Sequence, residues 1–181
     1  MTLWLVRHAL PLVDKGICYG QLDMHADLQA TQACAQELQK ILPKDIIIIT
    51  SPIQRCELLA YVFKGLQPDL RVKNDPKLQE MSFGQWEGRA WADIDPAELR
   101  AWTDDFAHYR AGGTGESVTQ FMVRVAAAFD ELDPTKDTLW ITHAGVIRAA
   151  TLIAKGVRHI TQASEWPPDA PAYGQWCKLT I

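Results

Sequence analysis

Residues 3–8 of the chain read LWLVRH, an apolar run of strand length that ends in an arginine and a histidine. Residues 138–143 read TLWITH, again an apolar run that ends in a histidine. Short apolar runs of this kind are typical of buried strands, so polar residues at their ends either point into solvent or lie at a functional edge of a sheet. The two strand-end histidines, His8 and His143, therefore predict one shared site.

The rest of the chain alternates helix and strand patterns around a long loop, residues 10–27. Four consecutive isoleucines, residues 46–49, predict a strand that is covered on both faces, as in a parallel sheet. Ser51 is a candidate N-cap for the helix that follows, and Gly65 is expected to end that helix. The predicted helices span residues 28–42, 52–63, 91–109 with an interruption at Pro96, 118–134 and 146–155, and two further short strands span residues 71–73 and 176–181. The alternation predicts a single α/β domain over residues 1–181, three-layered (α/β/α) around a mainly parallel central sheet.

Composition and charge exclude several classes of function. The chain has 181 residues, of which 48% are hydrophobic and 22% charged, and a net charge of -4. This mild negative charge argues against a general attraction to nucleic acid or anionic membranes, so an anionic ligand would need a local cluster of cations. The four cysteines lack metal-ligand spacing, and none begins a Cys-x5-Arg loop. No signal-peptide or membrane-spanning pattern is present, so a cytoplasmic location is expected.

Three predicted strands end in residues that suit phosphate chemistry. In a parallel sheet, ligands bind beyond the carboxyl ends of the strands, which is where His8, the turn at residues 51–55 and His143 would lie. Phosphoryl transfer needs positioning and stabilisation of negative charge, and an arginine presents a planar fork of donors to phosphate. A neutral imidazole has a lone pair that can attack phosphorus. Arg7, His8, Arg55 and His143 are therefore the candidate residues of a phosphoryl-transfer site.

Four separated motifs carry a resemblance to a known family. They are LVRH at residues 5–8, SPIQR at 51–55, EMSFGQWEG at 80–88 and THAG at 142–145. In this order and spacing they resemble the phosphoglycerate-mutase-like branch of the histidine phosphatase superfamily. The resemblance implies that His8 is the phosphorylated nucleophile, that Arg7 and Arg55 clamp the phosphate, that His143 is a further phosphate ligand, and that Glu80 donates a proton to the leaving oxygen. It implies no cofactor and no metal ion.

The sequence departs from the family pattern beside the first histidine. Ala9 stands where the family commonly has glycine, so the approach of the backbone to phosphate is expected to differ slightly. The loop at residues 16–23, GICYGQLD, resembles that of short α-ribazole phosphatases. Gly20 and Gln21 in this loop are candidate phosphate contacts through their backbone amides, and Ala144 is a third candidate substrate contact. Trp86 and Trp91 are expected to form pocket walls, and Trp4, Trp102 and Trp140 to fill the core.

The resemblance implies a metal-independent phosphomonoesterase that acts on a small-molecule phosphate monoester, with α-ribazole 5′-phosphate of cobalamin biosynthesis as a candidate substrate. Three alternatives stay open: a phosphoglycerate-type mutase, a phosphohistidine-protein phosphatase, and a phosphate-binding module without turnover. Neither nucleic acid nor a membrane is an expected partner, and the sequence makes no prediction of oligomeric state.

Overall fold

The computed structural model describes residues 1–181 and contains one five-stranded sheet. The strands are β1 (Thr2–Arg7), β2 (Ile47–Thr50), β3 (Val72–Asn74), β4 (Thr138–Thr142) and β5 (Trp176–Thr180). They lie in the order β3-β2-β4-β1-β5, with the first four parallel and β5 antiparallel to β1. The helices are α1 (Leu28–Ile41), α2 (Gln54–Leu66), α3 (Pro96–Asp104), α4 (Val118–Asp130) and α5 (Ala144–Ala154). The predicted α/β fold with a mainly parallel sheet is confirmed.

The two faces of the sheet carry separate hydrophobic cores because side chains alternate along a strand. On β1, Leu3 and Leu5 face one core together with α4 and α5. Trp4 and Val6 face the other core, which packs against α1 and α2. Full burial of one such side chain stabilises the fold by about 1.5–3 kcal/mol. The resulting three layers hold the strand ends rigidly in place.

Three of the five helices, α1, α3 and α4, begin with a side-chain cap, whereas α2 and α5 have none. Ser117 forms a capping box with Gln120 at the start of α4. The predicted N-cap of α2 is wrong: this helix begins at Gln54 after Ile53, which makes no side-chain cap, and it continues past Gly65. The predicted helix at residues 91–109 is a 3-10 turn followed by α3, which ends at Asp104.

The loop at residues 10–27 is attached to the segment that follows β3. Ile17 forms an isolated bridge with Ala90, and the Cys18 amide donates to the Arg89 carbonyl at 2.8 Å. The Gly88 amide donates in return to the Cys18 carbonyl at 2.8 Å. These bonds hold the loop over the carboxyl ends of the strands.

Two neighbouring strands bring their terminal residues side by side. Arg7 on β1 pairs in register with Thr142 on β4, so His8 and His143 follow at the same edge. The Ser51 amide donates to the Ile141 carbonyl at 3.0 Å, which places the turn after β2 beside them. No helix of the structure combines the length and the apolar character that a membrane span requires.

Candidate active site

Arg55 lies between the two strand-end histidines. The His8 and His143 rings have centroids 5.2 Å apart. The Arg55 Nε donates to His8 Nε2 at 3.2 Å, and its Nη2 lies 3.2 Å from His143 Nδ1. The structure thus brings together three residues that the sequence placed at one edge of the sheet.

The Arg55 guanidinium is fully buried and has no acidic partner. Its Nη2 donates to the Gly20 carbonyl at 2.6 Å and its Nη1 to the Leu22 carbonyl at 2.9 Å, while no aspartate or glutamate forms an ion pair with it. A buried charge is costly unless an opposite charge compensates it. The electrostatics of this position therefore favour an anionic ligand.

His8 is held as the neutral tautomer whose Nε2 carries the lone pair. Its Nδ1 lies 2.7 Å from the Ala9 carbonyl, which can only accept a hydrogen bond, so Nδ1 carries the proton. Burial, and then the charge of Arg55, lower the pKa of His8 to about 3. The carbonyl that orients His8 belongs to the backbone, so the alanine at position 9 supplies it as a glycine would.

His143 is also buried and neutral. Arg55 can only donate to its Nδ1, so the ring proton is on Nε2, which donates to Ser51 Oγ at 2.9 Å. The pKa of His143 lies well below the ordinary value for histidine, mainly because of burial and secondly because of the charge of Arg55. The Ser51 hydroxyl that the sequence assigned to a helix cap therefore orients His143.

Two further arginines reach the site without acidic partners. Arg7 donates to the Pro171 carbonyl at 3.2 Å and stacks on the Tyr173 ring at 3.8 Å from the centroid. Arg148 on α5 donates to the Pro168 carbonyl at 2.9 Å. The Nε of each of these two arginines is buried without a hydrogen-bond partner. With Arg55, they give the site a strong excess of positive charge.

Glu80 lies against the first turn of α5. Its Oε2 accepts from the Gly145 amide at 2.9 Å and its Oε1 from the Met81 amide at 3.1 Å. A Cβ atom at position 145 would overlap the Glu80 carboxylate. Glycine at this position therefore permits the carboxylate to approach the helix.

These side chains line one pocket of about 290 Å³. Its wall consists of Arg7, His8, Ile17, Tyr19, Arg55, Glu80, Phe83, Trp91, His143, Ala144 and Arg148. All five residues predicted as catalytic line it, and so does Ala144. A larger open groove of about 520 Å³ lies beside α2 and contains no arginine, so charge rather than size distinguishes the candidate site.

Gly20 and Gln21 have other contacts than the ones predicted for them. The Gln21 amide donates to Glu87 Oε1 at 3.0 Å, and neither residue lines the pocket. Gly20 contributes its carbonyl to Arg55, and a Cβ atom there would overlap the Met81 carbonyl. Both residues lie outside the pocket lining and support it, because the loop that carries them packs tightly against the residues after Glu80.

The aromatic residues divide differently from the prediction. Trp91 lines the pocket as predicted, but Trp86 is fully buried and its Nε1 donates to Glu98 at 2.6 Å. Trp86 packs edge to face on Trp102, in the core rather than in the pocket wall.

Sequence reasoning missed Arg148 and Tyr173. Arg148 could have been found as the one charged residue of a mainly apolar helix, one helical turn after Ala144. Tyr173 lies in a proline-rich segment without periodicity, and its hydroxyl forms a hydrogen bond with that of Tyr19. No local pattern connects these two tyrosines, which are 154 positions apart.

A family model for the histidine phosphatase superfamily (branch 1) matches residues 3–170. The chain belongs to this superfamily. Among the relatives of this histidine phosphatase is the adenosylcobalamin/alpha-ribazole phosphatase of Escherichia coli K12, which is 28% identical over 86% of this chain and 78% of its own length. The glucosyl-3-phosphoglycerate phosphatase of Mycobacterium tuberculosis is 31% identical over 72% of this chain and 64% of its own length.

Solved structures share the fold of this histidine phosphatase. TTHB049 from Thermus thermophilus superposes with a TM-score of 0.73 at 27% identity, covering 99% of this chain and 93% of its own. The alpha-ribazole phosphatase from Shigella flexneri superposes with a TM-score of 0.84 at 24% identity, covering 100% of this chain and 91% of its own. The second likeness concerns the fold alone.

Proposed function

We propose that this histidine phosphatase is a phosphomonoesterase that hydrolyses a small-molecule phosphate monoester through a phosphohistidine on His8. The observation that carries the proposal is the buried Arg55 guanidinium, which contacts both neutral histidines and has no acidic partner. A phosphate group would supply the missing negative charge. The names of the relatives, all phosphatases, support hydrolysis rather than mutase activity.

Substrate binding places the phosphate among donors that are already in position. Arg7 and Arg55 would donate to its equatorial oxygens, and Arg55 Nε would leave His8 Nε2 for a phosphate oxygen, which frees the lone pair. His143 would take up a second proton at Nδ1 from the monoanionic form of the ester and donate it to a phosphate oxygen, because the resulting dianion favours the charged imidazole. Three arginines at the pocket supply the positive charge that a metal ion supplies in other phosphatases, so turnover is expected to be insensitive to EDTA.

The first chemical step transfers the phosphoryl group to His8. The Nε2 lone pair forms a bond to phosphorus while the bond from phosphorus to the ester oxygen breaks. Glu80, in its protonated form, gives its proton to the departing oxygen, so the leaving group departs as a neutral alcohol. The arginines stabilise the charge on the three equatorial oxygens during this step.

The second step regenerates the enzyme. The Glu80 carboxylate accepts a proton from a water molecule as the water oxygen attacks phosphorus, and the bond from phosphorus to Nε2 breaks. Inorganic phosphate leaves, His8 is neutral again, and Glu80 carries the proton for the next cycle.

α-Ribazole 5′-phosphate is the candidate substrate. The E. coli relative and the sequence of the loop at residues 16–23 support it. A panel of phosphomonoesters that includes phosphoserine and glucosyl-3-phosphoglycerate tests this assignment, with the highest kcat/KM expected for α-ribazole 5′-phosphate. Equal kcat/KM values across the panel would defeat it.

Trapping of the intermediate tests the mechanism. Wild-type enzyme quenched during turnover is expected to carry acid-labile, base-stable phosphate, and His8→Ala is expected to carry none. His25→Ala is the matched control, because His25 is exposed outside the catalytic pocket. Label retained in His8→Ala would disprove the assignment of the nucleophile.

A further inference from the structure

Tyr173 covers the Arg7 guanidinium but does not line the catalytic pocket. The Arg7 Cζ lies 3.8 Å from the centre of the Tyr173 ring. Arg7 is part of the pocket wall, whereas Tyr173 is absent from it. Tyr173 therefore contacts a proposed phosphate-binding residue from outside the space in which a substrate would lie.

A turn attaches Tyr173 to the end of β1. In this turn the Gln175 amide donates to the carbonyl three residues before it at 3.0 Å, and Gly174 has a φ of +71°, which glycine adopts without strain. The Gly174 amide donates to the Arg7 and His8 carbonyls, each at 3.1 Å. The Arg7 amide donates in return to the Gln175 carbonyl at 3.0 Å. The backbone that carries the Tyr173 ring is thus bonded to the backbone that carries Arg7.

The Arg7 guanidinium has few other restraints. Its Nη1 donates to the Pro171 carbonyl at 3.2 Å, its Nε is buried without a partner, and no carboxylate forms an ion pair with it. A long side chain that is fixed before binding loses less conformational freedom when the ligand arrives. An aromatic ring that stacks on a guanidinium covers its face and leaves the N–H donors in its plane free for a phosphate.

Tyr19 contacts Tyr173 from the loop at residues 10–27. The hydroxyl groups of the two tyrosines form a hydrogen bond, and both side chains are half-buried. The centre of the Tyr19 ring lies 5.3 Å from the Arg55 Cζ. The two tyrosines therefore connect the two arginines that are proposed to clamp the phosphate, Arg7 and Arg55.

We infer that Tyr173 is a positioning residue that holds the Arg7 guanidinium in place for the phosphate, and that Tyr19 holds Tyr173. This inference rests on the proposed function, because Arg7 is taken to bind the phosphate of the ester. The effect passes through Arg7 rather than through contact with the alcohol. It is therefore expected for inorganic phosphate, for α-ribazole 5′-phosphate and for any other ester alike.

A double-mutant cycle between Arg7 and Tyr173 tests the inference. Isothermal titration calorimetry with inorganic phosphate measures the affinity of each variant. Tyr173→Leu is expected to weaken phosphate binding by roughly 3- to 30-fold, the range of a cation–π contact. In the Arg7→Ala background the same substitution is expected to leave the affinity unchanged, because the ring has no guanidinium to hold.

Equal losses in the two backgrounds would overturn the inference. Such losses would mean that Tyr173 acts through the fold or through His8, whose ring is centred 5.6 Å from that of Tyr173. Tyr173→Phe keeps the ring over the guanidinium and is expected to recover most of the affinity that Tyr173→Leu loses. Phosphate binding by Tyr173→Phe that is as weak as that of Tyr173→Leu would also overturn the inference.

Tyr61→Leu is the matched control. It makes the same change on α2, at a side chain that is 79% exposed and outside the catalytic pocket. Its phosphate affinity and its turnover of p-nitrophenyl phosphate are expected to equal those of the wild type. Losses in Tyr61→Leu as large as those in Tyr173→Leu would show that the effect is not specific to Arg7.

A second pair of variants tests the contribution of Tyr19. Tyr19→Phe and Tyr173→Phe break the same hydrogen bond from its two ends. Each is expected to cause the same small loss of phosphate affinity, and the double variant is expected to lose no more than either one. Additive losses, or wild-type affinity in both single variants, would overturn the role of Tyr19.

Phosphate binding and turnover of p-nitrophenyl phosphate, measured on the same proteins, separate this inference from the proposed function. An active wild type in which Tyr173→Leu causes equal losses in both backgrounds would overturn the positioning role and leave the phosphatase proposal standing. Phosphate binding that follows the expected cycle, without turnover of p-nitrophenyl phosphate or α-ribazole 5′-phosphate, would overturn the phosphatase proposal and leave the positioning role standing.

Discussion

Arg55 makes four contacts that no other basic side chain can reproduce. Its planar guanidinium reaches His8, His143 and the carbonyls of Gly20 and Leu22 at once. A lysine ammonium is a single point of charge on a flexible stem and cannot span these partners. The position of Arg55 on the first turn of α2 was predictable from its spacing to the strand, whereas its contacts with the loop at residues 10–27 were not.

Arg55→Lys is therefore expected to lower kcat about 100- to 1000-fold, the usual effect of losing a donor to transition-state charge. Steady-state kinetics on a phosphomonoester measure the change. Arg158→Lys is the matched control because Arg158 forms an exposed ion pair with Asp130, far from the pocket lining. Wild-type kcat in Arg55→Lys would contradict the proposal that Arg55 clamps the phosphate.

Gly145 determines where the Glu80 carboxyl group can lie. Gly145→Ala is expected to displace Glu80 and to reduce kcat by about 100-fold, within the range attributed to general acid catalysis. Gly65→Ala makes the same change in a helix with open space around it, so it is expected to keep kcat and to stabilise α2 by about 0.5–1 kcal/mol. Equal kcat in both variants would show that Glu80 does not act from this position.

The errors at single residues have a common physical cause. The Gln21 amide was predicted to face phosphate, but its acceptor is Glu87, which is 66 positions away. The hydrogen bond between the Tyr19 and Tyr173 hydroxyl groups, which the sequence did not predict, also joins distant segments. Strand and helix periods are local properties of a sequence, whereas the partner of a loop amide depends on which distant side chain arrives beside it.

At the scale of elements, the start of α2 shows how the site overrides local capping rules. Ser51 followed by Pro52 is a good start for a helix, yet α2 begins at Gln54. Ser51 Oγ instead accepts from His143 Nε2, and Asp23 from the distant loop accepts from the Gln54 amide at 2.9 Å. The helix thus gains its cap from the loop, and Ser51 is left to orient a histidine.

The loop at residues 10–27 depends on Glu87 for its fit against the pocket wall. One oxygen of Glu87 accepts from both the Gln21 amide and the Phe83 amide, at 3.0 and 2.9 Å. Glu87→Ala leaves both donors without this acceptor and is expected to cost about 1–3 kcal/mol of unfolding free energy. It is also expected to raise KM, since Phe83 lines the pocket.

Urea denaturation and steady-state kinetics of Glu87→Ala and Glu87→Gln check this prediction. The amide oxygen of glutamine can accept from the same donors, so Glu87→Gln is expected to recover more than half of the lost stability. Equal losses in the two variants would mean that the charge of Glu87, rather than its hydrogen bonds, holds the loop.

For the whole molecule, alternation along the strands made the layered fold predictable. A run such as residues 3–6 supplies side chains to both cores, so helices must cover both faces of the sheet. The strand order was not predictable, because β4 lies between β1 and β2 although it follows them by more than 80 residues. Only the tertiary pairing of the strands reveals that β4 is inserted between β1 and β2. This position of β4 makes His143 a neighbour of both His8 and Ser51. The single domain over residues 1–181 stays a prediction.

Two buried neutral histidines make the stability of the whole molecule depend on pH. The pKa of His8 is about 3 in the folded protein, mainly because of burial, against about 6.5 in an unfolded chain. The unfolded state therefore binds a proton that the native state does not bind between these values. The contribution of neutral His8 to folding stability is complete above pH 6.5 and is lost as the pH falls toward 3. The lowered pKa of His143 makes stability depend on pH in the same direction.

The free energy of unfolding is therefore expected to fall by up to about 1.4 kcal/mol per pH unit for each of the two histidines below pH 6. Urea denaturation between pH 7.5 and 4.5 measures the slope. Glutamine in His8→Gln cannot take up this proton. The slope of unfolding free energy against pH is therefore expected to be shallower than that of the wild type by about the contribution of one histidine. The acidic residues titrate alike in both proteins, so their contributions to the slope cancel in the comparison. Identical slopes would show that His8 is protonated in the native state, which would conflict with its proposed role as a nucleophile with a free lone pair.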